Sequence, residues 1–80
     1  MKLEILTPEK SLFEGKINLL NVPGSKGSFT VLRNHAPIIS TLEKGQIRII
    51  TDANKTELID ILGGIIEVKK NSIIVLVDII

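Results

Sequence analysis

The sequence predicts an all-β fold, a two-sheet antiparallel sandwich of short strands, on three observations. Its apolar residues are overwhelmingly β-branched or aliphatic: isoleucine alone occurs fifteen times, and Phe13 and Phe29 are the only aromatics. Branched side chains pack well on a pleated surface and lose rotamer freedom in helices. Short apolar runs are broken by turn residues at close intervals, the spacing of a sandwich or barrel. No segment carries a convincing 3.6-residue period.

Lys2 to Leu6 alternates and ends at Thr7-Pro8, which reads as a first strand. Leu12 to Val22 reads as one long strand or a strand pair, with Gly15 the expected bend. Pro23-Gly24-Ser25-Lys26-Gly27 is a loop rich in breakers. Ser28 to Leu32 is a strand closed by Asn34-His35-Ala36-Pro37, and Ile38 to Leu42 follows. Glu43-Lys44-Gly45 makes a turn, and Gly45 limits any helical turn over Thr41 to Gln46. Gln46 to Thr51 and Thr56 to Leu62 form a hairpin around Asp52-Ala53-Asn54-Lys55. Ile65 to Val68 and Ser72 to Asp78 form another around Lys69-Lys70-Asn71. The pattern yields eight to ten antiparallel strands.

Eighty residues make one domain, residues 1–80. A chain this short buries roughly 60% of its unfolded surface, so its core is marginal. It has no cysteine and one histidine, His35, so neither disulfides nor a zinc cluster reinforce it. The missing cysteines fit a reducing, cytoplasmic setting. A net charge of +1 with both signs interspersed, and so few aromatics, argue against nucleic acid as a partner. The longest apolar run, Ile73 to Val77, is too short to span a bilayer, and the N-terminus has no signal-peptide core.

Several strands carry more hydrocarbon than one interior accommodates. Leu3 and Ile5 alternate properly with Lys2 and Glu4, but Ile73 to Val77 is apolar on both faces. Ile65-Ile66 and Ile49-Ile50 also point apolar groups both ways. Such surplus marks an interaction surface, so the sequence predicts a docking protein.

Motifs for chemistry are weak. Gly24-Ser25-Lys26-Gly27-Ser28 fails as a phosphate cradle, because Lys26 precedes the second glycine and Ser28 opens a strand. His35 lacks a companion ligand, and no nucleophile motif surrounds it. Asp52 and Glu57 read as solvated turn and strand charges, and the Asn54-Lys55-Thr56 sequon carries no weight without a secretory signal. No cofactor, metal or catalytic residue is expected.

The stretch Pro23 to Glu43, with Gly24-Ser25-Lys26-Gly27-Ser28-Phe29-Thr30-Val31-Leu32 and His35-Ala36-Pro37-Ile38, resembles the ε subunit of bacterial F-type ATP synthases. That family carries a Gly-x-x-Gly-x-Phe/Leu-x-Val-Leu-x-x-His-Ala-Pro-Leu pattern. Leu3 to Glu9, Leu12-Phe13-Glu14-Gly15, Lys44-Gly45-Gln46-Ile47-Arg48-Ile49 and Gly63-Gly64-Ile65-Ile66-Glu67-Val68 match other family steps in order.

The resemblance implies a sandwich of about ten strands. It implies a non-catalytic central-stalk rotor subunit that joins the γ subunit to the membrane c-ring and supports torque transmission in proton-driven ATP synthesis. It implies a peripheral position on the cytoplasmic face of the bacterial inner membrane. Carried over by residue, it points to Ser28, His35, Ala36 and Pro37 as ring-facing and to Thr7 as the γ contact. Relatives often have an acid where this chain has Ser28. Many relatives continue into a two-helix inhibitory domain. This chain stops at Ile80, so that domain is expected to be absent, whether by nature or by truncation.

The competing reading is a free-standing carrier or ligand-binding β domain. A biotinyl or lipoyl carrier needs a modifiable lysine beside Met on a hairpin tip. Lys26, Lys55 and Lys69-Lys70 lack that setting, and Met1 is the only methionine.

Overall fold

Every alternating run becomes a strand, and no residue lies in a helix. The computed structural model describes residues 1–80. The strands are β1 (Lys2–Leu6), β2 (Ser11–Val22), β3 (Phe29–Val31), β4 (Ile38–Leu42), β5 (Gly45–Thr51), β6 (Thr56–Ile61), β7 (Gly63–Lys69) and β8 (Ser72–Asp78). The all-β reading holds, with eight strands where about ten were expected. One strand of the difference is β2, which runs unbroken for 12 residues instead of splitting at Gly15.

Strand β2 is the corner of the sandwich. Its first half pairs with β1, Lys2 opposite Lys16 and Glu4 opposite Glu14. Its second half pairs with β5 on one side and β3 on the other. The register slips between Ile17 and Leu19, leaving Asn18 as the extra residue. A bulge adds twist and lets a strand change sheets. It also reverses which parity points inward: Ile17 is buried before it, Leu20 and Val22 after it. The expected bend at Gly15 is therefore corrected to a bulge at Asn18, because Gly15 stays in register opposite Leu3. A second slip between Ile5 and Leu6 leaves Leu12 unpaired.

The first sheet runs β4-β7-β8-β1 and the first half of β2; the second runs β3, the second half of β2, β5 and β6. All pairs are antiparallel except β1 with β8, which is parallel from Lys2↔Ser72 to Leu6↔Leu76. An all-antiparallel sandwich was expected. The exception joins the first and last strands, whose relative direction no turn dictates. The segment after β2 laces across the open side: Gly24 bridges Leu42, and Ser25 N–H donates to the Thr41 carbonyl at 3.0 Å. The same segment accepts at the Pro23 carbonyl from Glu43 N–H, 2.9 Å. A Cβ on Gly24 would lie 2.6 Å from the Gly27 carbonyl oxygen, so only glycine permits this lacing.

The core is 15 aliphatic side chains and contains no polar one. Leu3, Ile5, Ile66, Ile73 and Val75 come from the first sheet, Leu20, Ile47 and Ile49 from the second. Stiff β-branched groups give such a core a small entropy cost on ordering. Burial of each contributes about 1.5–3 kcal/mol.

Candidate functional site

The β3–β4 connection is built around a turn. His35 N–H donates to the Leu32 carbonyl at 3.1 Å, and Asn34 sits at φ 66°, a left-handed value that Asn tolerates better than most residues. His35 is half-buried, while Ala36 and Pro37 are exposed. The His35 Nδ1 lies 2.6 Å from the Ala36 carbonyl oxygen. A carbonyl only accepts, so Nδ1 carries the proton and Nε2 is left free for another partner. Pro37 fixes its own φ and biases Ala36 toward extended backbone, which holds this loop open along the start of β4.

Ser28 is exposed and reaches the same region from the other side. Its hydroxyl donates to Asn21 Oδ1 at 3.3 Å, and Asn21 Nδ2 donates to the Phe29 carbonyl at 3.2 Å and to Thr30 Oγ1 at 3.0 Å. Asn21 thus pins the entry of β3. Ser28 and His35 line one open groove of 720 Å³, together with Lys26, Phe29, Ile38 and Ile39. Two residues seven positions apart in sequence are brought together here, with Ala36 and Pro37 at the rim of the same loop.

Thr7 lies elsewhere. It follows Leu6, which pairs with Leu76, at the end of the first sheet that also carries Asp78 and Gly63. His35 precedes Ile38, which pairs with Val68 toward the opposite end. The Thr7 hydroxyl accepts from Glu9 N–H at 3.2 Å and Lys10 N–H at 3.1 Å, and Thr7 N–H donates to the Lys10 carbonyl at 2.8 Å. Its visible work is closing the β1–β2 turn.

The surplus aliphatic groups are concentrated on the outer face of the first sheet. Ile65 and Leu76 pair across β7 and β8, at 40% and 49% exposure. Ile74 and Ile39 flank Glu67 in the next row, at 39% and 66% exposure. Leu6 extends the Leu76 row onto β1, and Pro8 folds beside it around a shallow 290 Å³ depression. On β8, Ile73, Val75 and Val77 fill the core while Ile74 and Leu76 face out, as the doubly apolar run requires. The outer face of the second sheet is more polar, with Thr30, Asn21 and Arg48 paired in one row and Gln46 with Asp60 in another. Its apolar groups are Leu58, 54% exposed, and the half-buried pair Leu19 and Ile50 in the next row.

One groove escaped the sequence reading. It measures 840 Å³ and lies among Leu12, Ile59, Ile61, Leu62, Ile79 and Ile80. Leu12, which the β1–β2 bulge leaves unpaired, lies along it. No signal in the sequence marks the bulge.

A family model described as the ATP synthase Delta/Epsilon chain β-sandwich domain matches residues 1–80. The ATP synthase epsilon chain of Leptospira interrogans is 41% identical over 78 residues, covering 98% of this chain and 61% of that protein. The epsilon chain of Rhodopseudomonas palustris is 38% identical over 76 residues, covering 95% of this chain and 56% of that one. The shorter epsilon chain of Chlorobaculum tepidum is also 38% identical over 76 residues, with 86% of its length covered. The chain thus spans about three-fifths of the length of the first two relatives.

Among solved structures, a chain of the Euglena gracilis mitochondrial ATP synthase superposes with TM-score 0.87 at 16% identity, covering 94% of this chain and 48% of that one. A chain of the Tetrahymena thermophila mitochondrial ATP synthase, in a central stalk and c-ring structure, gives 0.80 at 19% identity and covers 99% of this chain and 63% of that one. At those identities the likeness speaks for the fold. Sequence match along the whole chain and superposition of the sandwich agree: the chain belongs to the β-sandwich domain family of the ATP synthase Delta/Epsilon chain.

Proposed function

We propose that this chain is the sandwich domain of a non-catalytic central-stalk rotor subunit. It joins the γ subunit to the c-ring and supports torque transmission during proton-driven ATP synthesis. Its place is peripheral, on the cytoplasmic face of the bacterial inner membrane, held there by the complex. The observation that carries the reading is the uncovered aliphatic face of the first sheet, with Ile39, Ile65, Ile74 and Leu76 all 39% exposed or more. Patches of this kind mark docking surfaces, and the relatives at 38–41% identity are epsilon chains of the synthase.

The γ subunit takes the aliphatic face, with Thr7 at its border beside Leu6 and Pro8. The c-ring takes the loop end, through Ser28 and His35 in their shared groove and Ala36 and Pro37 next along the loop. Two separate surfaces suit a part that couples two neighbours. Ser28 has no charge, so contact there rests on hydrogen bonding and shape. Pro37 and the Asn34 turn keep the loop preorganised, which reduces the ordering cost of docking.

Co-purification tests the reading. The tagged domain is expected to retain the γ subunit of the same synthase under conditions where the assembled enzyme survives. Loss of γ under those conditions refutes the assignment.

A further inference from the structure

Register sorts the outer face of the first sheet into three transverse rows. Lys2 stands opposite Lys16 on one side and Ser72 on the other, and Ser72 stands opposite Lys69. One step along the strands, Glu4 stands opposite Glu14 and Ile74, Ile74 opposite Glu67, and Glu67 opposite Ile39. The next step gives Leu6, Leu76 and Ile65 in line. Along β1 and β2 the face therefore reads cationic, anionic, apolar, while Ile74 and Ile39 make the middle row largely aliphatic toward β4; successive rows lie about 7 Å apart, two residues along a strand.

This layout is unfavourable in isolation. Like charges directly opposite each other destabilise a sheet, and alternating the signs across each row would remove the cost. Lys2 faces Lys16 and Glu4 faces Glu14 instead. The chain recovers little internally. Its one ion pair is Lys69 Nζ to Glu67 at 3.9 Å, with the side chains 71% and 39% exposed, a weak surface contact. No comparable order exists on the second sheet, where Arg48 faces Leu58 and Gln46 faces Asp60.

We propose that these rows are a polarity key for the partner that covers the aliphatic face. This rests on the docking reading above and specifies the chemistry it needs. The partner presents a protein surface with an apolar band, then a row of Lys or Arg, then a row of Asp or Glu, in that order. Laid correctly, the apolar band covers Leu6, Leu76 and Ile65 and reaches Ile74 and Ile39, while the charged rows meet Glu4 and Glu14, then Lys2 and Lys16, with opposite sign. Turned by half a rotation about the sheet normal, the same partner sets its acids against the leucines and its apolar band against Lys2 and Lys16. Electrostatic complementarity of this kind fixes register and rejects wrong orientations. For a rotor part, one permitted orientation is the useful outcome.

The test inverts the rows. The quadruple variant Lys2→Glu, Lys16→Glu, Glu4→Lys, Glu14→Lys keeps the net charge and every apolar residue. It swaps the sign of both rows across β1 and β2. Binding to γ is read by titration calorimetry, with circular dichroism to confirm the fold. The wild-type chain is expected to bind, and the inverted chain to bind about 30-fold more weakly or worse. Raising salt from about 50 to about 500 mM should weaken the wild type and strengthen the inverted chain, because screening removes attraction in one and repulsion in the other. The pair Arg48→Asp and Asp60→Arg on the second sheet should change affinity by less than about 2-fold. If the inverted chain fails to fold, the four glutamine substitutions at the same positions erase the key and should cost about 5-fold. Equal affinity of wild type and row variant, with Leu76→Ser still weakening binding, overturns the key and leaves the docking reading standing. Absence of wild-type binding overturns both.

Discussion

Leu76→Ser separates docking hydrocarbon from core hydrocarbon most cleanly. Leu76 is 49% exposed between two buried neighbours on β8, Val75 at 0% and Val77 at 3%. Full burial of a leucine is worth about 1.5–3 kcal/mol. About half of that is already realised in the free domain, and the other half becomes available only when a partner covers the face. The variant should therefore lose about 1 kcal/mol of stability and a further 1 kcal/mol or so of binding, about 5-fold in Kd. Val75→Ser sets the contrast. It places a hydroxyl in an all-aliphatic interior and opens a void, at about 3 kcal/mol or more. An 80-residue domain holds roughly 4–12 kcal/mol in total, so that variant is severely compromised. Urea denaturation gives the stabilities and calorimetry with γ gives the affinity. If Leu76→Ser destabilises as much as Val75→Ser, or binds γ as tightly as wild type, the assignment of Leu76 to the docking surface is wrong.

Three further outcomes follow from the geometry. Gly64→Ala should cost about 1–3 kcal/mol, read from the urea midpoint, because the new Cβ meets the Leu76 carbonyl oxygen and sits 3.1 Å from Val77 Cα; an unchanged midpoint contradicts the close packing of β7 on β8. Thr7→Val should lower stability by about 0.5–1.5 kcal/mol by removing the acceptor for Glu9 and Lys10 N–H, and Thr7→Ser should restore most of it. His35→Ala should weaken capture by purified c-ring while leaving γ affinity unchanged within about 2-fold, since loop and aliphatic face are separate surfaces; a parallel loss of both refutes that separation.

Strand content was legible because it is a local property. Leu3 and Ile5 against Lys2 and Glu4, or Ile47 and Ile49 against Gln46 and Arg48, announce an inner and an outer face without reference to any partner strand. The doubly apolar run Ile73 to Val77 likewise announced that something must cover its second face. Pairing was not legible where it joins distant residues. The parallel contact of β1 with β8 links residues about seventy positions apart, and it alone carries the charged rows of β1 and β2 across to Lys69 and Glu67 on β7. The Asn18 bulge was hidden for a different reason: Gly15 is the obvious weak point of β2, yet a glycine opposite Leu3 leaves the ladder intact, while the slip occurs where β2 changes sheets.

The loop site shows the same division. His35-Ala36-Pro37 declares a stiff, preorganised segment in its own sequence, and Ser28 declares a strand entry. Their sharing of a groove involves Asn21 fastening β3 and Gly24 lacing to β4, contacts that span eight and eighteen positions. Thr7 was expected to contact the γ subunit; the structure shows it following Leu6 at the end of the first sheet. Its hydrogen bonds show an additional task, closing the β1–β2 turn, that a threonine before proline does not by itself reveal.

Hydroxyl-radical footprinting of the domain, free and bound to γ, reads side chains one by one and so locates the covered face. Binding is expected to protect Ile39, Ile65, Ile74 and Leu76 and to leave Leu58 and Leu32 as reactive as before. Protection of Leu58 with Leu76 unchanged would place the partner on the other sheet and contradict that expectation.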